Sequence, residues 1–475
     1  MRIAILTSEA VPFAKTGGLA DVSGALPKAL TEQDVEARLI LPLYDQIDRG
    51  FLNGDSIEDV RVEWRGQVHH VRFALSDAAG APAYLLETPE FFARPDIYGY
   101  KDDHIRFAYF SRAALALLKH LDWQPDVVNG NDWPSGFAMQ ELRARRRYDP
   151  FFQPIRTVLS LHNVGYQGFF DPGDLWWLGF GERPEVDDFM LERNASALKA
   201  GIIAADALST VSPRYSREIQ TRDQGHGLDW LLRSRADRLA GIANGVDYTI
   251  WNPETDPDIA ANFSVDDMSG KRECKIDLLR RFGLPQDAER PIIAVISRLV
   301  KQKGYDLIRQ IAPAIVQTGA FFIALGAGAS EYEDFLQQLH DRYPREVGIY
   351  KGYAGEPLAH QIEAGADMFL MPSLYEPCGL NQMYSMRYGT VPIVRTTGGL
   401  DDTVEQFNPS TGTGTGFKFG PYEAGALLEK IREALYFYGR PDDWQKIQRN
   451  GMLVDNSWEA AATKYAELYR EVAQL

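Results

Sequence analysis

The sequence predicts an α/β protein built from two doubly wound parallel sheets, and three observations carry that prediction. Short β-rich runs alternate with helical stretches along almost the whole chain, the pattern left by parallel strands joined through helical crossovers. The alternation stops near Asn244-Gly245, a turn signal, and restarts in the second half. The chain has 475 residues, more than one hydrophobic core ordinarily serves and enough for two.

In the first half, buried strands are expected at residues 2–6, 37–41, 126–129, 156–161, 207–211 and 239–243. The opening run Ile3-Ala4-Ile5-Leu6 is ended by Ser8 and Glu9 before it reaches the ~7 apolar residues of a secretion signal, so it reads as a strand. Between residues 55 and 87, Val62, Trp64, Val68, Val71, Phe73, Tyr84 and Leu86 suggest antiparallel strands added to the same sheet. The second half offers strands at 291–297, 320–326, 348–352, 367–371 and 391–395, separated by helical windows such as 305–317 and 380–388. Residues 251–268, rich in Pro, Asp and Asn, form an excursion ahead of the second sheet. At the end, Ser457 is placed as an N-cap before Ala461, Tyr465, Leu468, Tyr469 and Val472 at helical spacing. The expected organisation is a first domain over 1–243, a second over 244–456 and a closing helix over 457–475.

Composition narrows the function. Apolar residues at 45% and charged residues at 24% are those of a globular protein. Fifty Lys and Arg against 66 Asp and Glu leave a formal charge of −16, which disfavours a nucleic-acid partner while leaving room for a local basic site. Two cysteines, Cys274 and Cys378, make neither a disulfide framework nor a cysteine zinc site and suit the cytoplasm. No apolar run approaches the ~18 residues of a membrane span. None of the eight histidines joins a His-Glu-x-x-His type cluster, so no metal is expected.

Doubly wound sheets bind ligands beyond the carboxyl ends of their strands, and the residues able to carry chemistry sit there. Lys15-Thr16-Gly17-Gly18-Leu19 follows the first strand and opens a helix; glycines allow close backbone approach, helix-start amides face an anion, and Lys15 adds charge. Thr397-Gly398-Gly399-Leu400 repeats the device after a strand of the second half. Arg298 and Lys303, beyond the strand at 291–297, can neutralise a diphosphate leaving group. Either set also reads as an ordinary strand-to-helix turn with solvated cations.

Glu376-Pro377-Cys378-Gly379-Leu380 puts a carboxylate in a post-strand loop, where it can accept hydrogen bonds from sugar hydroxyls; a surface Glu is the plainer reading. Cys378 has no paired His and reads as packing. His162 ends another strand, ahead of the aromatic residues Tyr166, Phe169, Phe170, Trp176 and Trp177, which form either a sugar platform or a core. Asp132, in Asn131-Asp132-Trp133, either faces the same region or caps the next helix. The basic run 143–147 reads as a solvated helix end.

Together these segments resemble the bacterial glycogen synthase and plant starch synthase family over essentially the full chain. The likeness rests on Lys15 to Val22, Leu161-His162-Asn163, Asn244-Gly245-Val246-Asp247 with Trp251-Asn252-Pro253, Ser297-Arg298-Leu299 with Lys303-Gly304, Glu376 to Leu380, and Thr397 to Leu400, in the family's order. The resemblance implies the GT-B fold, two Rossmann-like domains facing across a deep cleft, the first serving the acceptor and the second the nucleotide-sugar donor. It implies transfer of glucose from ADP-glucose to the non-reducing end of glycogen or another α-1,4-glucan, with retention and without cofactor or metal.

By that likeness Lys15, Arg298 and Lys303 hold the diphosphate with backbone groups of Gly17, Gly18, Gly399 and Leu400, in loops that include Thr397 and Gly398. Glu376 binds the glucose hydroxyls with Cys378, Gly379 and Leu380; His162 and Asn244 position the sugar; Asp132 lies near the reacting centre. Tyr353 is the aromatic expected on the adenine, although the loop Ala354-Gly355-Glu356-Pro357 is one residue longer than usual. Asn131 stands where many relatives carry His, and Tyr384, eight positions after Glu376, replaces the second Glu of a broader glycosyltransferase signature. The alternatives are a GT-B transferase using UDP-glucose or another acceptor, and a catalytically silent glucan-binding relative.

Overall fold

A computed structural model of the chain describes residues 1–181, 185–352 and 355–475. They form two compact units, one of Met1–Gly245 with Trp458–Leu475, the other of Val246–Ser457. The divisions fall one or two residues beyond those expected. Gly245 marks the first of them: a Cβ there would lie 2.5 Å from the Cα of Trp458, so the chain passes the start of the final helix only without a side chain.

The first unit contains β1 (Arg2–Leu6), β2 (Glu36–Pro42), β3 (Ser56–Trp64), β4 (Gln67–Ser76), β5 (Ala83–Glu87), β6 (Val127–Asn131), β7 (Arg156–Leu161), β8 (Phe169–Phe170), β9 (Met190–Leu191), β10 (Asn194–Ser196), β11 (Ala207–Thr210) and β12 (Leu239–Gly241). Strands β8, β9 and β10 make a small sheet of their own. The other nine described strands run in the order β12-β11-β7-β6-β1-β2-β5-β4-β3. All their pairings are parallel except β3 with β4 and β4 with β5, the antiparallel addition expected between residues 55 and 87. Strand β6 reaches two residues further than expected because its polar Asn129 and Asn131 are buried and hydrogen-bonded.

The second unit contains β13 (Ile292–Ile296), β14 (Phe321–Gly326), β15 (Val347–Lys351), β16 (Met368–Met371), β17 (Val391–Arg395) and β18 (Phe417–Phe419), all parallel, in the order β15-β14-β13-β16-β17-β18. Ile293, Val295, Phe322 and Met368 face one apolar layer, and Ile292, Ala294, Phe321 and Phe369 face another, the two-sided burial that continuous apolar strands require.

In each sheet the chain leaves its first strand in both directions. β1 lies between β2 and β6, and β13 lies between β14 and β16. Loops after β1 and β6, and after β13 and β16, therefore diverge to opposite faces and leave a crevice at the carboxyl edge.

The basic run is not solvated at its core. Arg143 pairs with Asp188, Arg145 with Glu141 at 2.8 Å and Arg146 with Asp206 at 2.6 Å, all partly buried, while Arg147 stays largely exposed. Asp188 and Asp206 supply counter-charge from 45 and 60 positions away, distances in sequence that no local pattern reveals.

The helix Trp458–Ala473 buries Ala461, Ala462, Tyr465, Ala466, Tyr469 and Val472 on one side and packs on helix Gly18–Thr31 and on β6 and β7. Tyr469 donates its hydroxyl to Asn129 Oδ1 at 2.6 Å, deep in the unit. Tyr469→Phe leaves Asn129 Oδ1 still accepting from Ser160 and should cost about 1 kcal/mol. Tyr469→Ala opens a cavity and should cost about 3–5 kcal/mol. Urea midpoints should fall in that order; equal midpoints for the two variants would mean that the helix contributes no packing.

Candidate functional site

In the first unit the site grows from the carboxyl ends of β1, β6 and β7. Lys15 is exposed and pairs with Asp21 at 2.6 Å on the helix its own loop opens. Glu9, which the sequence reading used only to end a strand, is 3% exposed. Its carboxylate accepts the Thr16 amide at 2.5 Å, the Thr16 hydroxyl at 2.9 Å and the Gly17 amide at 3.2 Å. The Gly17 amide, expected to face a donor anion, is thus directed at an anion of the protein itself. Gly18 and Leu19 begin the helix, and their amides have no intrahelical acceptor.

Asp132 does not cap the following turn; its side chain makes no capping bond there. It sits at φ +51° and ψ −167°, a conformation that costs a non-glycine residue roughly 1–3 kcal/mol. The carboxylate accepts the amides of His162 at 2.7 Å and Asn163 at 3.4 Å across β6 and β7. Burial pushes the Asp132 carboxyl up to about 7; the two amides pull against that shift and the nearby Glu9 charge adds to it. Burial pushes the His162 imidazole the other way, down to about 4.

Asn131 fixes which nitrogen of that neutral ring carries the proton. Its amide nitrogen donates to the Leu6 carbonyl at 3.0 Å, so its Oδ1 must accept from His162 Nε2 at 2.9 Å. Nδ1 of His162 is then the acceptor. Asn131 therefore orients the histidine of the next strand. Asn244 is buried in the same unit, and its Oδ1 has no hydrogen-bond partner among the described residues. Of the aromatics, Phe170 is buried and stacked on His104, while Tyr166, Phe169, Trp176 and Trp177 are exposed.

In the second unit the site lies beyond β13, β16 and β17. Lys303 donates to Glu376 Oε2 at 2.5 Å, and the Ser373 hydroxyl donates to the same oxygen at 3.0 Å. Glu376 is 6% exposed, and no bond to its Oε1 is formed among the described residues. Arg298 is exposed, with one long contact of 3.5 Å to Gln302 and no carboxylate within ion-pair distance among the described residues.

The loop holding Glu376 is tied down from both sides. Arg395, ending β17, donates to the carbonyls of Ser373 at 2.8 Å and Leu374 at 2.5 Å. Gln382 donates to the carbonyls of Cys378 at 3.2 Å and Gly379 at 3.0 Å, and Cys378 is buried as packing. Leu380 caps helix Asn381–Arg387.

The glycines after Thr397 do something other than expected. The Gly399 amide donates to the carbonyls of Glu376 at 3.2 Å and Pro377 at 3.0 Å, and the Leu400 amide to Thr397 at 3.1 Å. A Cβ on Gly398, at φ +45°, would stand 1.9 Å from the Glu376 carbonyl oxygen, and one on Gly399 would stand 2.2 Å from that of Cys378. The backbone these glycines approach is the chain's own, so they hold the two loops together, and the Gly399 amide is used in doing so. Tyr353 lies outside the described residues.

One trio of described residues, Asp256, Asp258 and His360, brings possible metal ligands within 4.8 Å of one another. Asp256 Oδ2 already accepts from His360 Nδ1 at 2.7 Å and Tyr388 at 2.5 Å, and its Oδ1 accepts the Asp258 amide at 2.8 Å. Trp251 stacks on His360 and Tyr384 at 3.8 Å each. The cluster is a satisfied polar core that fastens residues 251–258 to two helices.

Residues 2–234 match the family model of the starch synthase catalytic domain, and residues 279–468 match that of the glycosyl transferases group 1. A sucrose-phosphate synthase from Thermosynechococcus elongatus shares the fold at a TM-score of 0.61 and 18% identity, with 99% of this chain and 98% of that one covered. The catalytic domain of starch synthase IV from Arabidopsis thaliana, solved with ADP and acarbose, matches at a TM-score of 0.91 and 32% identity over 100% of this chain and 99% of that one. The chain is a glycosyltransferase of the GT-B class. A glycogen synthase from Bacillus cereus (strain Q1) is 42% identical over 100% of both chains. The chain belongs to the glycogen synthase and starch synthase family.

Asp132 and His162 set opposite pH dependences on stability. The His162 value is lowered from 6.5 to about 4, so its contribution is present above pH 6.5 and is lost as pH falls toward 4. The Asp132 value is raised from 3.8 to about 7, so the folded chain takes up that proton first and gains stability as pH falls from 7 toward 4. The two oppose each other over most of this window. Asp132→Asn should uncover the histidine, a loss of roughly 3 kcal/mol between neutral pH and full acidification. His162→Gln should uncover the reverse slope. Urea denaturation across the window checks this; parallel profiles for all three proteins would contradict the assignment.

Proposed function

We propose that this chain transfers glucose from ADP-glucose to the non-reducing end of glycogen or another α-1,4-glucan, with retention of configuration and without metal or cofactor. The observation that carries the reading is the Lys303–Glu376 pair at the switch point beside β13, buried within a family whose named members make glycogen or starch. The adenine nucleotide of the Arabidopsis thaliana complex supports ADP-glucose over UDP-glucose.

On this reading Arg298 and Lys303 neutralise the diphosphate as it leaves, and Lys15 with the Gly18 and Leu19 amides adds positive potential from the first unit. Glu376 accepts glucose hydroxyls through Oε1 while Lys303 and Ser373 hold Oε2. Asn244 Oδ1 and His162 Nδ1, two acceptors, receive further hydroxyl groups. Among the described residues of the site none is poised as a covalent nucleophile, so on this reading the acceptor hydroxyl attacks from the face the diphosphate leaves and gives its proton to the departing phosphate oxygen. Asp132, near neutrality, is a reserve acceptor for that proton. Among the described residues no helix is long and apolar enough to cross a membrane, and a cytoplasmic setting is part of the proposal.

Turnover on glycogen should be faster with ADP-glucose than with UDP-glucose and should persist in excess EDTA. A clear preference for the uridine donor, or loss of activity to the chelator, would overturn those parts of the reading.

Lys303→Ala should lower kcat by about 10²-fold or more. It also strands a buried carboxylate, which should cost roughly 3–5 kcal/mol. Adding Glu376→Gln should therefore recover much of the melting temperature and none of the kcat. Recovery of both would reduce Lys303 to a structural partner of Glu376.

A further inference from the structure

We propose that Glu9 is a positioning residue of the transfer reaction, whose carboxylate holds the loop Lys15–Gly18 in the shape that meets the donor. The proposal rests on the functional reading above and deepens it.

A carboxylate buried as Glu9 is, at 3% exposure, ordinarily needs a cation. None of the described residues supplies one; the neighbouring Lys15 is paired with Asp21 instead. Four donors take the cation's place. They are the Thr16 amide at 2.5 Å, the Thr16 hydroxyl at 2.9 Å, the Gly17 amide at 3.2 Å and the Tyr98 hydroxyl at 3.0 Å. Hydrogen bonds to an ionised acceptor are about twice as strong as neutral ones. The loop therefore has one favoured shape, set by a charge behind it.

The second end of the arrangement reaches the rest of the site. Tyr98 also bonds Ser8 Oγ at 2.7 Å, and its ring lies 6.4 Å from that of Trp133, the residue after Asp132. Glu9 thus joins the loop after β1 to the loop after β6, the two loops flanking the switch point of the first sheet. Gly17, as N-cap, has no side chain to steady the helix start, and Glu9 performs that task from eight residues away.

With the Thr16 and Gly17 amides committed to Glu9, what the loop still offers is the exposed Lys15 side chain and the Gly18 and Leu19 amides, which have no intrahelical acceptor. Their placement depends on a residue that touches no substrate. A loop displaced by about 1 Å can cost 10²-fold in rate without unfolding anything.

The test uses the full chain. Glu9→Gln keeps the side-chain shape and removes the charge. Its kcat with ADP-glucose should fall by about 10²-fold, while KM for glycogen changes by less than about twofold. Amide exchange at Thr16 and Gly17 should rise by about tenfold or more with β1 unchanged. Thr16→Val, which removes one donor, should lower kcat less, and should lower it no further on the Glu9→Gln background.

Wild-type kinetics in Glu9→Gln would overturn the proposal, as would a loss of rate with unchanged exchange at Thr16 and Gly17, or fully additive losses in the double variant. A wild-type chain that transfers nothing from ADP-glucose would overturn the functional reading and the catalytic part of this one together; the exchange measurement would still report whether Glu9 orders the loop.

Discussion

The candidate site depends on where the strand order reverses. In each sheet the first strand, β1 or β13, has its early neighbour on one side and a later strand on the other. Successive crossovers then leave in opposite directions, and the loops at that point cannot pack over one another. Glu9, Lys15, Asp132 and His162 follow β1, β6 and β7; Arg298, Lys303 and Glu376 follow β13 and β16. A different strand order with the same sequence of elements would scatter them.

At those edges the chain buries charge, and it answers each charge differently. Glu376 is met by a cation, Glu9 by hydroxyl and amide dipoles, and Asp132 by a proton that it keeps to near neutrality. Each solution keeps a carboxyl in a low-dielectric place without leaving it unsatisfied. The overall charge of −16 is spread over the rest of the molecule, and the cations Lys15, Arg298 and Lys303 act locally against it.

Glycines in this structure serve the protein's own contacts as much as any ligand. Gly398 and Gly399 let the loop after β17 lie backbone to backbone on the loop that holds Glu376. Gly304, at φ +80°, does the same between the loops after β13 and β16, where a Cβ would stand 2.3 Å from the Pro372 carbonyl oxygen. The rigidity of Glu376 comes from these contacts and from Arg395.

Strand and helix positions were legible because apolar runs and their periodicities are local, and most edges fall within a residue or two of those expected. β6 was read short because buried asparagines look like a strand's end until their partners, Leu6 and Ser160, are known. The candidate site residues were legible as types in post-strand loops. Their pairing was not: Lys303 and Glu376 are 73 positions apart, and Arg146 finds Asp206 from 60 away. The sequence by itself determined two α/β repeats, their parallel strands and the side chains on offer, since those follow from short-range propensity and pattern. Only the tertiary structure decided that Gly17 serves Glu9, that Asp132 is strained and near neutral, and that Asn131 sets the tautomer of His162. Burial and hydrogen-bond partners come from strands brought together in space, and no spacing along the chain encodes them.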